Sequence, residues 1–140
     1  MITKLATAKQ HLNVSADKPN LILWVDDYPD NNIYPRKVLE VIGFSFELAL
    51  STQEAMSRFS TGKYAAIISD MGRAEGTREG YVLLEEIRKL DGNIPYFIYA
   101  VSGTNSREKL KRETERRGAQ GTTDIAEELI EMIITHVQVS

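Results

Sequence analysis

The most constraining feature of this chain is an apolar run that ends in two acids. Residues 21–25 read Leu-Ile-Leu-Trp-Val, and Asp26 and Asp27 follow directly. A short unbroken apolar run that contains β-branched and aromatic residues is typical of a strand buried on both faces. Burying a carboxylate without a partner is costly, and ligands of open α/β sheets bind beyond the carboxyl ends of the strands. Asp26 and Asp27 are therefore predicted to lie where a binding site would form.

Strand and helix patterns alternate along the rest of the chain. Four further strands are predicted, over residues 44–50, 64–70, 94–101 and 118–123. Five helices are predicted, two ending near Ile42 and Gly62, and three spanning about 80–90, 105–117 and 125–137. This alternation predicts an α/β fold, a doubly wound five-stranded parallel sheet with helices on both faces.

Local patterns define the ends and the packing of three of these helices. Ser51 and Glu54 have the spacing of a capping box, and Asp124 is the predicted N-cap of the last helix. In that last helix a buried stripe is predicted to run from Ile125 to Val137. The fourth helix has one large apolar residue, Leu110, among six basic and three acidic ones, so we expect weak packing on the sheet.

The composition limits the classes of function. A length of 140 residues suits one domain. The net charge of −3 and the pI near 5.4 disfavour nucleic acid as a partner. The chain has no cysteine, which excludes disulfides, thiolate metal sites and cysteine nucleophiles. No apolar run approaches a membrane span or a signal-peptide core, so we expect a cytoplasmic protein with no membrane partner.

The first 19 residues are expected to form an extension ahead of a domain over residues 20–140. Leu5, Ala8 and Leu12 share one face of a weakly helical stretch, and a connector follows it. Two interpretations remain open, a frayed tail and an extra N-terminal helix packed on the domain or on a partner.

Acidic residues end two of the predicted strands, Asp26 and Asp27 the first and Asp70 the third. If these strands are neighbours, the three carboxylates meet at one edge of the sheet. Two like charges about 4 Å apart repel by roughly 4 kcal/mol at an effective dielectric of 20. Such a cluster needs protons or a cation, and its oxygen ligands suit Mg²⁺. The alternative is that each aspartate merely opens a turn or caps a helix.

These residues, together with Ile94-Pro95 and Gly118-Ala119-Gln120-Gly121, resemble the receiver domain of bacterial response regulators over roughly residues 20–137. The resemblance implies a flavodoxin-like fold. It also implies transfer of a phosphoryl group from a sensor histidine kinase, a phosphotransfer protein or a small phosphodonor onto an aspartate, with Mg²⁺ or Mn²⁺ as cofactor. Matched position by position, it assigns the phosphoacceptor to Asp70, the direct metal ligand to Asp27, the second acid to Asp26 and a metal-binding backbone carbonyl to Gly72.

The sequence departs from the family where the phosphoryl group is sensed. The family's switch hydroxyl falls on Ala100, its aromatic switch residue on Thr122 and its lysine on Ile125. A methyl group cannot donate a hydrogen bond to a phosphoryl oxygen. Three nearby side chains are candidate substitutes: Ser102, Arg73 and Arg78. We expect the metal-binding half of the site without the familiar switch.

Three functions follow as hypotheses. The first is a stand-alone receiver that is phosphorylated on Asp70 and signals to an effector protein by contact, since no output domain follows residue 137. The second is a pseudo-receiver, an interaction module that is not phosphorylated. The third is a haloacid-dehalogenase-like phosphatase, which is disfavoured because Gly72 stands where that family has a second aspartate. Apart from this third case we expect no enzyme, with self-phosphorylation and dephosphorylation as the most that the chain would catalyse.

The end of the chain also carries a candidate docking surface. Residues 107–117 are rich in lysine and arginine, whereas the last helix carries Glu127, Glu128 and Glu131. Either the basic run is a solvated helix face, or it is a docking surface. As a docking surface it would bind a partner protein, or residues 105–137 would pair with a second copy of the chain through complementary charges.

Overall fold

The structure is a computed structural model that describes residues 20–100 and 107–137. Its parallel strands are β1 (Leu21–Val25), β2 (Ser45–Ala49), β3 (Ala66–Ser69), β4 (Tyr96–Tyr99) and β5 (Gly121–Thr123). Its helices are α1 (Ile33–Ile42), α2 (Thr52–Thr61), α3 (Glu79–Leu90), α4 (Arg107–Arg116) and α5 (Ala126–His136), with a 3₁₀ turn (Pro29–Asn32) ahead of α1. The strand order is β2-β1-β3-β4-β5, which confirms the predicted doubly wound α/β fold.

The sheet separates two hydrophobic cores, and β1 contributes to both. Successive residues of a strand point to opposite faces. Leu23 and Val25 therefore pack with residues of α2 and α3, while Ile22 and Trp24 pack with residues of α1 and α5. All four side chains are at most 1% exposed, as expected for a strand covered on both faces.

The pairing of β1 with β3 positions the acids. Val25 lies opposite Ser69 in the parallel register, and the amide of Asp70 donates to the carbonyl of Val25 at 3.0 Å. The residues that follow the two strands, Asp26 and Asp70, therefore leave the sheet side by side.

Two predictions about helix ends have opposite outcomes. The Ser51 hydroxyl accepts from the amide of Glu54 at 3.0 Å, which confirms the predicted cap of α2. The prediction that Asp124 caps α5 is wrong, because its carboxylate pairs with Arg107 at 2.6 Å and the amide of Ile125 donates to the Thr123 hydroxyl. Ile125 is 36% exposed and therefore lies outside the buried stripe.

The fourth helix is anchored mainly by a polar residue. Thr114 is fully buried, and its hydroxyl lies 2.9 Å from that of Tyr81 in α3. Leu110 adds a partly buried apolar contact, and the guanidinium of Arg117 lies 4.2 Å from the centre of the Tyr81 ring. The expected weak packing of this helix is thus offset by contacts that an apolar pattern does not reveal.

The N-terminal extension (residues 1–19) and Ser102 lie outside the described residues. Within the described part, no helix combines the length and the apolar character needed to cross a membrane.

Candidate functional site

Three carboxylates converge at the edge of the sheet, as the sequence predicted. Asp26, Asp27 and Asp70 each offer one oxygen, and these oxygens lie within 4.8 Å of one another. Asp26 and Asp70 are each 8% exposed, whereas Asp27 is open to solvent. The cluster therefore combines two nearly buried carboxylates with one that solvent reaches.

Backbone amides and one buried amide side chain hold the two acids that follow β1. Asp26 accepts from the amide of Tyr28 and from Nδ2 of Asn32, both at 2.8 Å. Asn32 is itself 2% exposed, at the end of the 3₁₀ turn. Asp27 accepts from the amide of Ala74 at 2.9 Å. These bonds fix both carboxylates before any ligand binds.

The loop after Asp70 folds back over the sheet edge. Arg73 and Gly76 exchange backbone hydrogen bonds of 2.8 and 3.0 Å, which closes a tight turn. The amide of Gly80 donates to the carbonyl of Met71 at 2.8 Å and closes the base of the loop. The turn carries the side chain of Arg73 back to the acid three residues before it.

The Arg73 side chain is fully buried against Asp70. Its Nη1 donates to Oδ1 of Asp70 and, at 3.1 Å, to the hydroxyl of Ser69. Its Nε donates to Glu75 at 2.8 Å, and its Nη2 donates to the hydroxyl of Thr52. Of the two candidate substitute cations, Arg73 thus contacts the acid. Arg78 instead lies 5.1 Å from the centre of the Tyr81 ring.

The surroundings of Asp70 act on its ionisation in opposite directions. Burial raises the pKa of the Asp70 carboxyl to about 7, and the charges of Asp26 and Asp27 add to this effect. The Arg73 guanidinium lowers the pKa but does not cancel the increase. A bound cation would relieve the repulsion among the three carboxylates.

Comparison with solved structures identifies the architecture. No protein-family model and no curated protein matches the sequence. The chemotaxis response regulator CheY4 of Vibrio cholerae is 20% identical, with a TM-score of 0.69 over 86% of this chain and all (100%) of that one. The response regulator TrrA of Thermotoga maritima, in complex with Mg²⁺-BeF, is 22% identical, with a TM-score of 0.67 over 84% and 98%. The non-phosphorylated HemR receiver domain of Leptospira biflexa is 20% identical, with a TM-score of 0.69 over 88% and 97%.

The fold is that of a response-regulator receiver domain. The predicted resemblance is confirmed for the fold and for the presence of the three acids. Within this receiver fold, the carboxylates line an open pocket together with Gly72, Tyr99 and Ala100.

The three positions predicted to depart from the receiver pattern occupy different places. Ala100 lines the acidic pocket, so this position offers the pocket a methyl group and no hydroxyl. Thr122 faces the neighbouring concavity between α4 and α5, and its buried hydroxyl has no hydrogen-bond partner among the described residues. Ile125 immediately precedes α5 and is partly exposed. Arg73 is the one cationic side chain among the described residues that line the acidic pocket.

Sequence reasoning missed several residues of this site. No local pattern marks Asn32 as a site residue, although an asparagine six residues after Asp26 is within reach of that acid. Asp124 lines the pocket and forms an ion pair with Arg107. Thr52 lies between the two residues of the predicted capping box, and nothing in the local pattern indicates its contact with Arg73.

Proposed function

We propose that this chain is a signalling receiver that binds Mg²⁺ or Mn²⁺ and accepts a phosphoryl group on Asp70. The observation that carries the proposal is the convergence of three carboxylate oxygens within 4.8 Å, at the sheet edge of a receiver fold. Hard oxygen ligands suit Mg²⁺, which keeps some of its waters for a phosphate. The complex of TrrA with Mg²⁺-BeF supports the same ligand chemistry for this fold.

The residues present fit a divalent metal ion. Asp26, Asp27 and Asp70 would hold it, with the backbone carbonyl of Gly72 as a further oxygen ligand. Asp26 and Asp27 already accept hydrogen bonds that orient them, as metal ligands commonly do. When bound, the ion would neutralise charge on the oxygens of the transferring phosphoryl group.

The chain's own part in the transfer falls to Asp70. A carboxylate oxygen of this residue attacks the phosphorus atom of the donor, and an acyl phosphate forms. The bond from phosphorus to the donor breaks, and its electron pair leaves with the donor's imidazole or acetate. The donor would be a sensor histidine kinase, a phosphotransfer protein or a small phosphodonor.

Signalling would proceed through protein contacts, to an effector protein or to a second copy of the chain. The concavity between α4 and α5 is lined from α4 by Arg107 and Lys111, together with Glu108 and Glu115, and from α5 by Glu128 and Glu131. A twofold axis that brings α4 of one copy against α5 of the other would pair these charges.

We expect a dimer through residues 105–137 that weakens as salt is added, because exposed charge pairs are screened. Sedimentation over a range of protein concentrations at low and high salt measures this. A monomer at high concentration and low salt would contradict the prediction.

A second function, the unphosphorylated pseudo-receiver, is favoured by the ion pair between Arg73 and Asp70. In that case the guanidinium supplies a permanent counter-charge, and the acids bind a metal ion or a partner without phosphoryl transfer. The methyl group of Ala100 at the switch position is consistent with this function.

Incubation with acetyl phosphate and Mg²⁺, followed by intact-mass measurement, tests the two functions. We expect the mass of one phosphoryl group to be added. The addition should be lost in Asp70→Asn and in the presence of a chelator, and it should persist in the matched variant Asp30→Asn, which alters an exposed acid outside the cluster. A rise in melting temperature with Mg²⁺ but no added mass would favour the pseudo-receiver, because a ligand that binds only the folded state stabilises it.

A further inference from the structure

Arg73 connects the proposed phosphoacceptor to the first turn of α2. Its Nη1 contacts Asp70, while its Nη2, on the other branch of the guanidinium, donates to the hydroxyl of Thr52. Thr52 is the first residue of α2, and Asp70 follows β3, so the contact joins segments far apart in sequence. A fully buried guanidinium held at both ends has little freedom to move alone.

Further bonds tie the same turn to the loop that carries Arg73. The Thr52 hydroxyl donates to Glu79 at 2.8 Å, and the Thr52 amide donates to Glu75 at 3.1 Å. Glu75 also accepts from Nε of Arg73. The start of α2 is therefore hydrogen-bonded to Arg73, Glu75 and Glu79, and both acids lie within ion-pair distance of Arg73. A displacement of the guanidinium would change all of these contacts together.

The charges that line the pocket indicate a second role for Arg73, as a cation for a phosphoryl group. A phosphoryl group carries a charge of about −1.5 to −2 and needs cations close to its oxygens. The position of the family's lysine is Ile125, and Arg73 is the cationic side chain among the described residues that line the pocket. Its Nη1 already donates to an oxygen of the acid that would carry the phosphoryl group.

We propose that Arg73 is the phosphoryl-binding cation of this site and that it relays the state of Asp70 to the first turn of α2 through Thr52. This inference rests on the proposed function. Phosphoryl transfer removes the carboxylate charge that Nη1 now pairs with. It adds a larger anion, whose charged oxygens lie two bonds beyond the carboxylate oxygen that bonds to phosphorus. The guanidinium follows that anion, and its contacts with Thr52 and Glu75 change. The surface that responds is then the start of α2, on the opposite edge of the sheet from β5.

The variant Arg73→Gln tests whether Arg73 is the phosphoryl-binding cation. Removing a positive charge beside three carboxylates should tighten Mg²⁺ binding by several-fold, about 3- to 10-fold. Binding of trifluoroberyllate to the Mg²⁺-loaded protein should weaken by at least about 10-fold, because a charge-assisted hydrogen bond is lost. Calorimetric titration measures both. Arg78→Gln is the matched control from the same loop and should leave both affinities within about twofold, since its guanidinium lies over Tyr81.

The affinities of Arg73→Gln for Mg²⁺ and for trifluoroberyllate distinguish the possible roles of Arg73. If Arg73 only held the fold together, both affinities would fall. If it only blocked Asp70, both would rise. Either result overturns the assignment of Arg73 as the phosphoryl-binding cation. If the wild-type protein binds Mg²⁺ but neither trifluoroberyllate nor a phosphoryl group, the proposed function fails, and this inference fails with it.

Amide chemical shifts test the relay. Addition of trifluoroberyllate should shift the backbone amides of residues 50–54, and this response should be lost in Thr52→Val although the analogue still binds. Thr61→Val is the control at the other end of α2, where the hydroxyl bonds only to carbonyls of its own helix. If the wild-type protein binds the analogue but the shifts concentrate at Thr122, Thr123 and α5, the relay through Thr52 is wrong and the proposed function stands.

Discussion

Replacing Gly80 with alanine is expected to lower the free energy of unfolding by about 3 kcal/mol, at the upper end of the usual cost of overpacking. A Cβ at this position would overlap the carbonyl oxygen of Asp70 and would lie 3.1 Å from Cα of Met71. Both are backbone atoms, so no change of rotamer relieves the overlap. The Gly80 carbonyl also accepts from the buried Tyr96 hydroxyl at 2.8 Å, which opposes a shift of α3.

The same substitution should weaken Mg²⁺ binding, because the overlap falls on the backbone of a proposed metal ligand. Urea denaturation and metal titration measure the two effects. Gly92→Ala is the matched control, since a Cβ there meets nothing within 4 Å and its φ is not in the left-handed region. It should change the free energy of unfolding by less than about 0.5 kcal/mol. Wild-type stability and metal affinity in Gly80→Ala would contradict the close approach of α3 to Asp70.

The parts of the fold that were predictable from the sequence depend on short-range patterns. The apolar run of β1 and the acids after β1 and β3 indicate two buried strands and an acidic sheet edge. A parallel sheet then brings the carboxyl ends of its strands to one edge, so the meeting of Asp26 and Asp70 follows from topology. The cap of α2 at Ser51 was likewise predictable, because it involves only neighbouring residues.

The parts that were not predictable depend on contacts between distant segments. Arg73 reaches Asp70 because the loop turns back on itself, and it reaches Thr52 because α2 starts beside that loop. Aspartate is a common helix cap, but in the folded chain the Asp124 carboxylate forms an ion pair with Arg107. Thr114 anchors α4 through a hydroxyl, which an apolar pattern cannot register. Where a polar side chain has several available partners, the tertiary structure decides which of them it contacts.

Trp24→Ala is expected to lower the free energy of unfolding by about 3–5 kcal/mol, the range for large aromatic residues replaced by alanine in cores. Trp24 is the fourth residue of β1 and is 1% exposed. Its ring packs edge-on against Phe46 at 5.7 Å and Tyr99 at 6.1 Å between ring centres. Alanine would leave a cavity between the sheet and helices α1 and α5, which a rigid parallel sheet cannot close. Thermal and urea denaturation measure the loss.

Trp24→Phe separates packing from polarity at the same position. The indole Nε1 of Trp24 is buried without a hydrogen-bond partner among the described residues, which is an unfavourable state for a donor. Phenylalanine loses part of the packing but also removes this donor, so the two effects oppose each other. We expect a cost of about 1 kcal/mol, well below that of alanine. A cost close to that of alanine would mean that the indole donor is satisfied in solution and that its hydrogen bond contributes to stability.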